Sequence, residues 1–323
     1  MHPLLFHPLY RRSIWGGRRF ASVLGRDLPA GEDFAESWEL VDRGVDQSVV
    51  AAGPLAGTTL GELVRRHGGE LLGRNAPLDA FPLLFKYLDA SRDLSVQVHP
   101  DDGRAARLGT PDRGKTEAWY VVEAAPGSRV YAGLREGTDI GSFADAVRAG
   151  RCAELLHSFE ARPGDCIFIP AGTVHAIGAG LMVAEIQQSS DVTYRLHDWN
   201  RTGPDGKPRP LHVDAGLDAV TRTAAVGPVQ PAATADPAVR RLVTSDYFVL
   251  DEVRPAGQWG IGGDDACHFL AVLSGEVRCE DRWALPTISR GGCILMPASI
   301  GPQTLHASST HGHPPRLLHV SLP

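Results

Sequence analysis

No part of this chain keeps a helical period for long. Its apolar residues come in short runs of β-branched and aromatic side chains, each closed off by glycine, proline or aspartate. FPLLFKYLDA (81–90), DLSVQVHP (93–100), EAWYVVEA (117–124), SRVYAGL (128–134), GDCIFIP (164–170), HAIGAGLMVAEIQQ (175–188) and VTYRLHDW (192–199) all have this form. Such residues suit a pleated, half-buried surface, and strands this short at this spacing close into a sandwich, barrel or jelly roll. The 36 glycines and 24 prolines supply the turns. Helical patterning is confined to two stretches. Residues 58–74 place apolar side chains at 60, 63, 64, 71 and 72 behind a cap at Thr58 or Thr59, and 139–158 is the second candidate. The predicted class is all-β with a few short helices.

At 323 residues the chain has room for about two domains. RPGDCIFIPAG (162–172) and RGGCILMPAS (290–299) repeat a basic residue, glycine, Cys-Ile and Pro-Ala in step, so the second half reads as a degenerate copy of the first. Pro, Gly and Ala concentrate between 202 and 240, which predicts a first unit over 1–215, a crossover over 216–240 and a second β-unit over 241–323. Within the latter, HFLAVLSGEVRCE (268–280) predicts a hairpin across its Ser-Gly turn. The two copies continue differently. Thr173, Val174 and His175 come after the first, but Ile300, Gly301 and Pro302 after the second, so only the first unit can be a metal or catalytic unit.

Composition narrows the partners. With 32 basic and 38 acidic residues the net charge is −6, without the broad basic surface that binding to nucleic-acid phosphates requires. A small anionic ligand needs only a few local arginines or lysines. The five cysteines are odd in number, scattered, and lack any CxxC pair, as expected of reduced thiols in the cytoplasm. The N-terminal MHPLLFHPLYRRSIW has its charges after a proline-broken apolar stretch, the reverse of a signal peptide, and no run approaches the ~18 apolar residues of a membrane span.

Three constellations carry chemistry. In Gln97-Val98-His99, residues two apart on a strand share a face, so the Gln97 amide and His99 imidazole converge, with Ser95 beside them. Glu117 opens the apolar strand Ala-Trp-Tyr-Val-Val, a poor place for a carboxylate without a partner. A Pro/Gly turn after the strand ending at Pro170 delivers His175. Gln97, His99, Glu117 and His175 on neighbouring strands make a site of borderline hardness suited to Zn²⁺, with Fe²⁺, Mn²⁺ or Co²⁺ tolerated.

The spacing from Gly164 to His175 matches the second motif of the cupin superfamily. SIWGG (13–17), ESWEL (36–40), PLLFKYLDA (82–90), LSVQVHPDD (94–102), KTEAWYV (115–121), PAGTVHAIG (170–178) and EIQQSSDVTYRLHDWNR (185–201), in this order, resemble the type I mannose-6-phosphate isomerases of the short bacterial branch. The likeness is dense over residues 5–215. It implies two cupin-type jelly-roll units, one Zn²⁺ per chain, and the same four ligands, Gln97, His99, Glu117 and His175. It places Glu185, Asp191, Arg195 and Lys115 in the catalytic pocket, with Ser95, Arg201 near the sugar phosphate, and Trp15 near the pocket mouth. ESWEL is assigned to barrel support. Longer members carry a histidine just before the lysine of KxE, where this chain has Gly114, so a mechanism using that histidine as base does not apply here.

The implied activity is interconversion of mannose 6-phosphate and fructose 6-phosphate through an enediol, in a cytoplasmic monomer or homodimer that binds a small sugar phosphate and neither nucleic acid nor membrane. The chemistry needs a base for the proton alpha to the carbonyl and an electrophile for the enediolate. Lys115, Asp191 and Glu185 are the candidate bases, and Lys115 could serve if zinc and Arg195 depress its pKa. Two alternatives use the same scaffold: an Fe²⁺ cupin dioxygenase, against which the Gln ligand and the Lys/Arg set argue, and a non-catalytic sugar-phosphate sensor.

Overall fold

The computed structural model describes residues 1–110, 112–203, 206–280, 283 and 285–323; Pro204 and Asp205 of the expected Pro/Gly-rich stretch lie outside them. The short apolar runs form antiparallel strands arranged in two pairs of sheets. In the first pair, a five-stranded sheet runs in the order Leu156–Glu160, Arg129–Leu134, His175–Ile177, Val96–Val98, Tyr194–His197. The six-stranded sheet opposite has the order Cys166–Ile169, Glu117–Ala124, Leu181–Gln188, Leu83–Ala90, Glu36–Leu40, Leu9–Arg11.

The second pair repeats this plan. Its six-stranded sheet has the order Ala232–Ala233, Val239–Thr244, Val249–Val253, Arg316–Ser321, His268–Ser274, Cys293–Met296. Its four-stranded sheet has the order Gln258–Ile261, Gln303–Ser308, Glu276–Arg278, Ile288–Ser289. The two copies of the Cys-Ile motif occupy the same topological place, the edge strand next to Glu117–Ala124 in one unit and next to His268–Ser274 in the other. Among the described residues no sheet mixes strands of the two units.

Several local expectations are corrected. His268–Ser274 and Glu276–Arg278 do not form a hairpin; they lie in different sheets, and Gly275, at φ +68°, turns the chain from one to the other. HAIGAGLMVAEIQQ is two strands rather than one, broken at Gly178–Gly180. The second helix candidate is helical only over Ile140–Arg148, followed by a short 3₁₀ turn and the strand Leu156–Glu160. The first holds as a helix kinked at His67: Leu60–Leu72 is capped by Thr59, whose hydroxyl accepts from the Glu62 N–H while Glu62 accepts from the Thr59 N–H. A further helix, Val213–Ala219, opens the crossover, which then runs along the first unit, with the Val226 N–H donating to Ala132 and that of Val229 to Cys166.

The largest apolar cluster joins the units. Phe85, Tyr87 and Ile186 pack with Phe248, Phe269 and Leu318, and the Phe85 and Phe269 rings lie 4.8 Å apart. The other face of each six-stranded sheet looks into its own barrel. In the first barrel the lower wall is apolar, with Trp15, Leu88, Trp119, Val130 and Ile177, and the polar residues gather elsewhere in the space between the sheets.

Candidate metal centre and substrate pocket

Each barrel sheet supplies part of the site. From the five-stranded sheet, His175 lies directly opposite Gln97, and Gln97 is also opposite Arg195. Adjacent paired residues share a face, so three polar side chains point into the barrel together. His175 reaches its place because Gly172 adopts φ +86° and its N–H donates to the carbonyl of His99, which locks the turn before one ligand to the strand end that carries another. From the six-stranded sheet, Glu117 opens one strand, and Glu185 and Lys86 stand opposite each other on the next two.

His99, Glu117 and His175 meet, with one potential ligand atom from each within 4.8 Å of the others. All three are at most 1% exposed. His99 Nδ1 is 2.7 Å from the Val192 carbonyl and His175 Nδ1 is 2.9 Å from the Thr173 carbonyl, which assigns the proton of each ring to Nδ1 and leaves Nε2 as a lone pair. Those lone pairs face the Glu117 carboxylate at 3.6 and 3.3 Å. Acceptors cannot hydrogen-bond one another, and a cation between them would satisfy all three. His99 Nε2 and Glu117 Oε1 are indeed buried without a hydrogen-bond partner. Burial holds His99 well below its ordinary pKa and pulls His175 down to about 4, which keeps both imidazoles in the neutral form that binds metals.

Gln97 completes the set, its Nε2 3.2 Å from His175 Nε2 and its Oε1 3.4 Å from the Ser95 hydroxyl. A half-turn of the amide exchanges nitrogen for oxygen and presents an acceptor to the same point. Two neutral imidazoles, a carboxylate and an amide fit a divalent cation of borderline hardness. The carbonyls behind the two rings are the outer partners that fix a ligating histidine's tautomer.

Beside the cluster runs a chain of alternating charges. Lys115 Nζ lies 2.7 Å from Glu117 and 3.4 Å from Glu185; Lys86 Nζ lies 3.5 Å from Glu185 and 3.0 Å from Glu36; and the Trp38 indole N–H donates to Glu36 at 2.7 Å. Against the cost of burial, Glu117 and Glu185 hold Lys115 above the ordinary lysine value rather than below it. Burial and the neighbouring Glu117 push Glu185 up.

The other expected pocket residues are dispersed. Asp191 is exposed, its N–H bonded to Asp112, though its charge reaches Lys86. Trp15, expected near the pocket mouth, is 5% exposed and packed in the apolar cluster with Leu94 and Trp119; so large an apolar ring is retained by the core. Arg195 donates through Nη1 to the Pro210 carbonyl at 3.0 Å. Arg201 and Arg209 both donate to Asp198 Oδ1 at 2.6 Å. Two guanidinium groups thus share one carboxylate on the side of the barrel where Arg195 stands.

Position 114 is closed to any side chain: a Cβ there would lie 2.4 Å from the Asp102 nitrogen and 2.5 Å from the Asp101 carbonyl carbon. Lys86 and Glu36 are missing from the residues that sequence patterning singles out, although a lysine inside FPLLFKYLDA carries the same signal that marks Glu117, a charge where only a partner makes burial tolerable. Arg209 and Asp198 have no such signal, because their pairing depends on where residues 206–212 lie against the strand Tyr194–His197.

The chain is similar to known proteins over nearly its whole length. A profile for the catalytic domain of type I phosphomannose isomerase matches residues 4–119. The chain is 33% identical to the mannose-6-phosphate isomerase ManA of Bacillus subtilis, over 93% of this chain and 94% of that one. It is likewise 33% identical to the mannose-6-phosphate isomerase of Streptococcus mutans, over 92% and 93%. The crystal structure of a Bacillus subtilis mannose 6-phosphate isomerase superposes with a TM-score of 0.86 at 29% identity, covering 99% of both chains.

Proposed function

This chain belongs to the type I mannose-6-phosphate isomerase family, and on that premise we propose that it interconverts mannose 6-phosphate and fructose 6-phosphate by enediol proton transfer, with one zinc ion held by Gln97, His99, Glu117 and His175. The observation that carries the reading is the buried meeting of two imidazole lone pairs with the Glu117 carboxylate, an arrangement that a divalent cation would satisfy. When bound there, zinc supplies the electrophile that makes the sugar's alpha proton more acidic.

The rest of the chemistry belongs to the side chains. Lys115 and Glu185, 3.4 Å apart and both buried, are the acid–base pair beside the cluster, one holding a proton and the other able to take one. Lys86, opposite Glu185 and tied to Glu36, keeps that carboxylate in place. Among the candidate bases, Asp191 stands in solvent and is given no proton-transfer step. Arg195, on the Gln97 face, receives the phosphate, and its planar donors suit a dianion that the overall acidic chain repels. The barrel wall of Trp119, Leu94 and Ile177 keeps water from the reacting carbons.

The test is a coupled assay on mannose 6-phosphate with metal measured on the same sample. Chelation should abolish activity and added Zn²⁺ restore it, while full turnover in metal-free protein refutes the zinc role. Turnover in deuterium oxide should place deuterium at C2 of the sugar. Its complete absence would instead favour hydride transfer or internal return.

A further inference from the structure

Resting on the reading of Arg195 as the phosphate-receiving group, we propose that Arg209 is a positioning residue for the same reaction: its fork on Asp198 pins the segment 209–212 against the strand Tyr194–His197 and thereby sets the direction of the Arg195 guanidinium.

A free arginine side chain gives up rotamer entropy when ordered, so a guanidinium that must meet a phosphate in one pose needs a support. Here the support comes from three contacts with Pro210 and His212. Arg195 Nη1 donates to the Pro210 carbonyl at 3.0 Å, the Arg195 N–H donates to His212 Nδ1 at 3.2 Å, and the His212 N–H donates back to the Arg195 carbonyl at 2.8 Å. Burial and the Arg195 charge hold His212 below its ordinary pKa, so its Nδ1 keeps the lone pair that the Arg195 N–H requires.

The supporting segment is tied to the strand at His212, but the stretch before it has few backbone donors of its own. Pro208 and Pro210 flank Arg209 and bring no N–H donor to any ladder. What fastens it is a bidentate pair, Arg209 Nε to Asp198 Oδ2 at 2.8 Å and Nη2 to Oδ1 at 2.6 Å. Asp198 is itself buried, three residues beyond Arg195, and Arg201 ties it further, donating to its Oδ1 and to the Asp93 carbonyl ahead of the strand that carries Gln97. The circuit from Arg195 through Pro210, Arg209, Asp198 and Arg201 to Asp93 therefore closes on the metal-site strand. Burial and the charges of Arg209 and Arg201 also press on Arg195, with Asp198 opposing, so the surplus positive charge is left for an incoming dianion.

A point charge would act differently from a fork. If Arg209 merely attracted phosphate, lysine would replace it; if it positions Arg195 through two parallel hydrogen bonds, lysine would not. Acting through Arg195 also means that its loss has no effect once Arg195 is gone.

The experiment is steady-state kinetics on mannose 6-phosphate, with melting temperatures, for the wild type, R195A, R209Q, R209K, D198N and the double variant R195A/R209Q. R195A should lower kcat/KM about 100-fold and R209Q about tenfold, with R209K recovering little of that loss. The double variant should match R195A within about twofold. An additive loss of about 1,000-fold, or full recovery in R209K, overturns the positioning role. Should R209Q fail to fold, D198N must show the same tenfold loss for the proposal to stand. An unimpaired R195A overturns the reading of Arg195 itself, and this outcome is distinct from an impaired R195A beside an unimpaired R209Q, which overturns Arg209 alone.

Discussion

The two barrels share a plan and carry different polar groups at matching places. Glu117 opens its strand opposite Gln187 and Ile169; His268 opens the corresponding strand opposite Ser321 and Met296. The row Glu185, Lys86, Trp38 across the first sheet corresponds to His319, Asp251, Arg241 across the second. Where the first barrel gathers acceptors around one point, the second has histidines that hydrogen-bond to each other and to acids. His268 sits 2.8 Å from Asp264 and 2.9 Å from His319, which lies 3.4 Å from Asp251, itself paired with Arg241. The strand that His175 opens in the first barrel is opened by Gln303 in the second, but its cross-strand partner is Ile261 rather than Gln97. The Gln303 amide is occupied with the Ile300 and Pro302 carbonyls and the Trp283 indole. The same scaffold thus becomes a metal site when its inward polar atoms are left unsatisfied, and a structural core when they satisfy each other. Among the described residues only the first barrel gathers three metal-ligating groups at one point.

The comparison breaks most visibly at Glu117. Changing Glu117→Ala or His175→Ala should lower kcat/KM at least ~1,000-fold and release the bound metal, read by assay and elemental analysis together; a variant that kept both would place the centre elsewhere. Next in size is Lys86→Met, which removes the cation between Glu36 and Glu185 and leaves Glu185 with Lys115 alone. Removing one partner of a buried charge set costs on the order of 3 kcal/mol, so the urea midpoint should fall clearly, whereas an unchanged midpoint would show that Lys86 does not hold the row together.

In the second barrel the same row should matter for stability alone. His319→Gln should destabilise by about 1–2 kcal/mol while leaving kcat/KM on mannose 6-phosphate within twofold; a collapse of activity in well-folded protein would give that barrel a role in the chemistry. The smallest effect is expected at the seam. Tyr120 donates to Glu252 at 2.7 Å between the units, but Glu252 also holds Arg254 and Arg316, so Tyr120→Phe should cost about 1 kcal/mol with a single melting transition. Two separated transitions would mean that the shared core around Phe85 and Phe269 does not couple the units.

Much of this is legible in the chain. The short strands, the helix at Leu60–Leu72 and the four candidate ligands come from local patterns: alternation, a capping box, and a carboxylate or imidazole placed where burial demands a partner. The repeated Cys-Ile motif marks the same edge strand in both units. What escapes depends on long-range placement. The sheet switch at Gly275 looks like any hairpin turn until the partner strands are known. Lys86 carries its signal inside an apolar run that hides it, and Trp15 has a pocket assignment by resemblance where the structure packs it into the core. The support of Arg195 by Arg209 joins residues whose proximity arises only when a proline-rich segment folds back.

The most direct measurement is anomalous scattering from crystals of the active protein, recorded above the zinc absorption edge. The account requires one peak per chain, between the Nε2 atoms of His99 and His175 and the carboxylate of Glu117, with none inside the second barrel. Crystals of fully active enzyme lacking a peak there would contradict it.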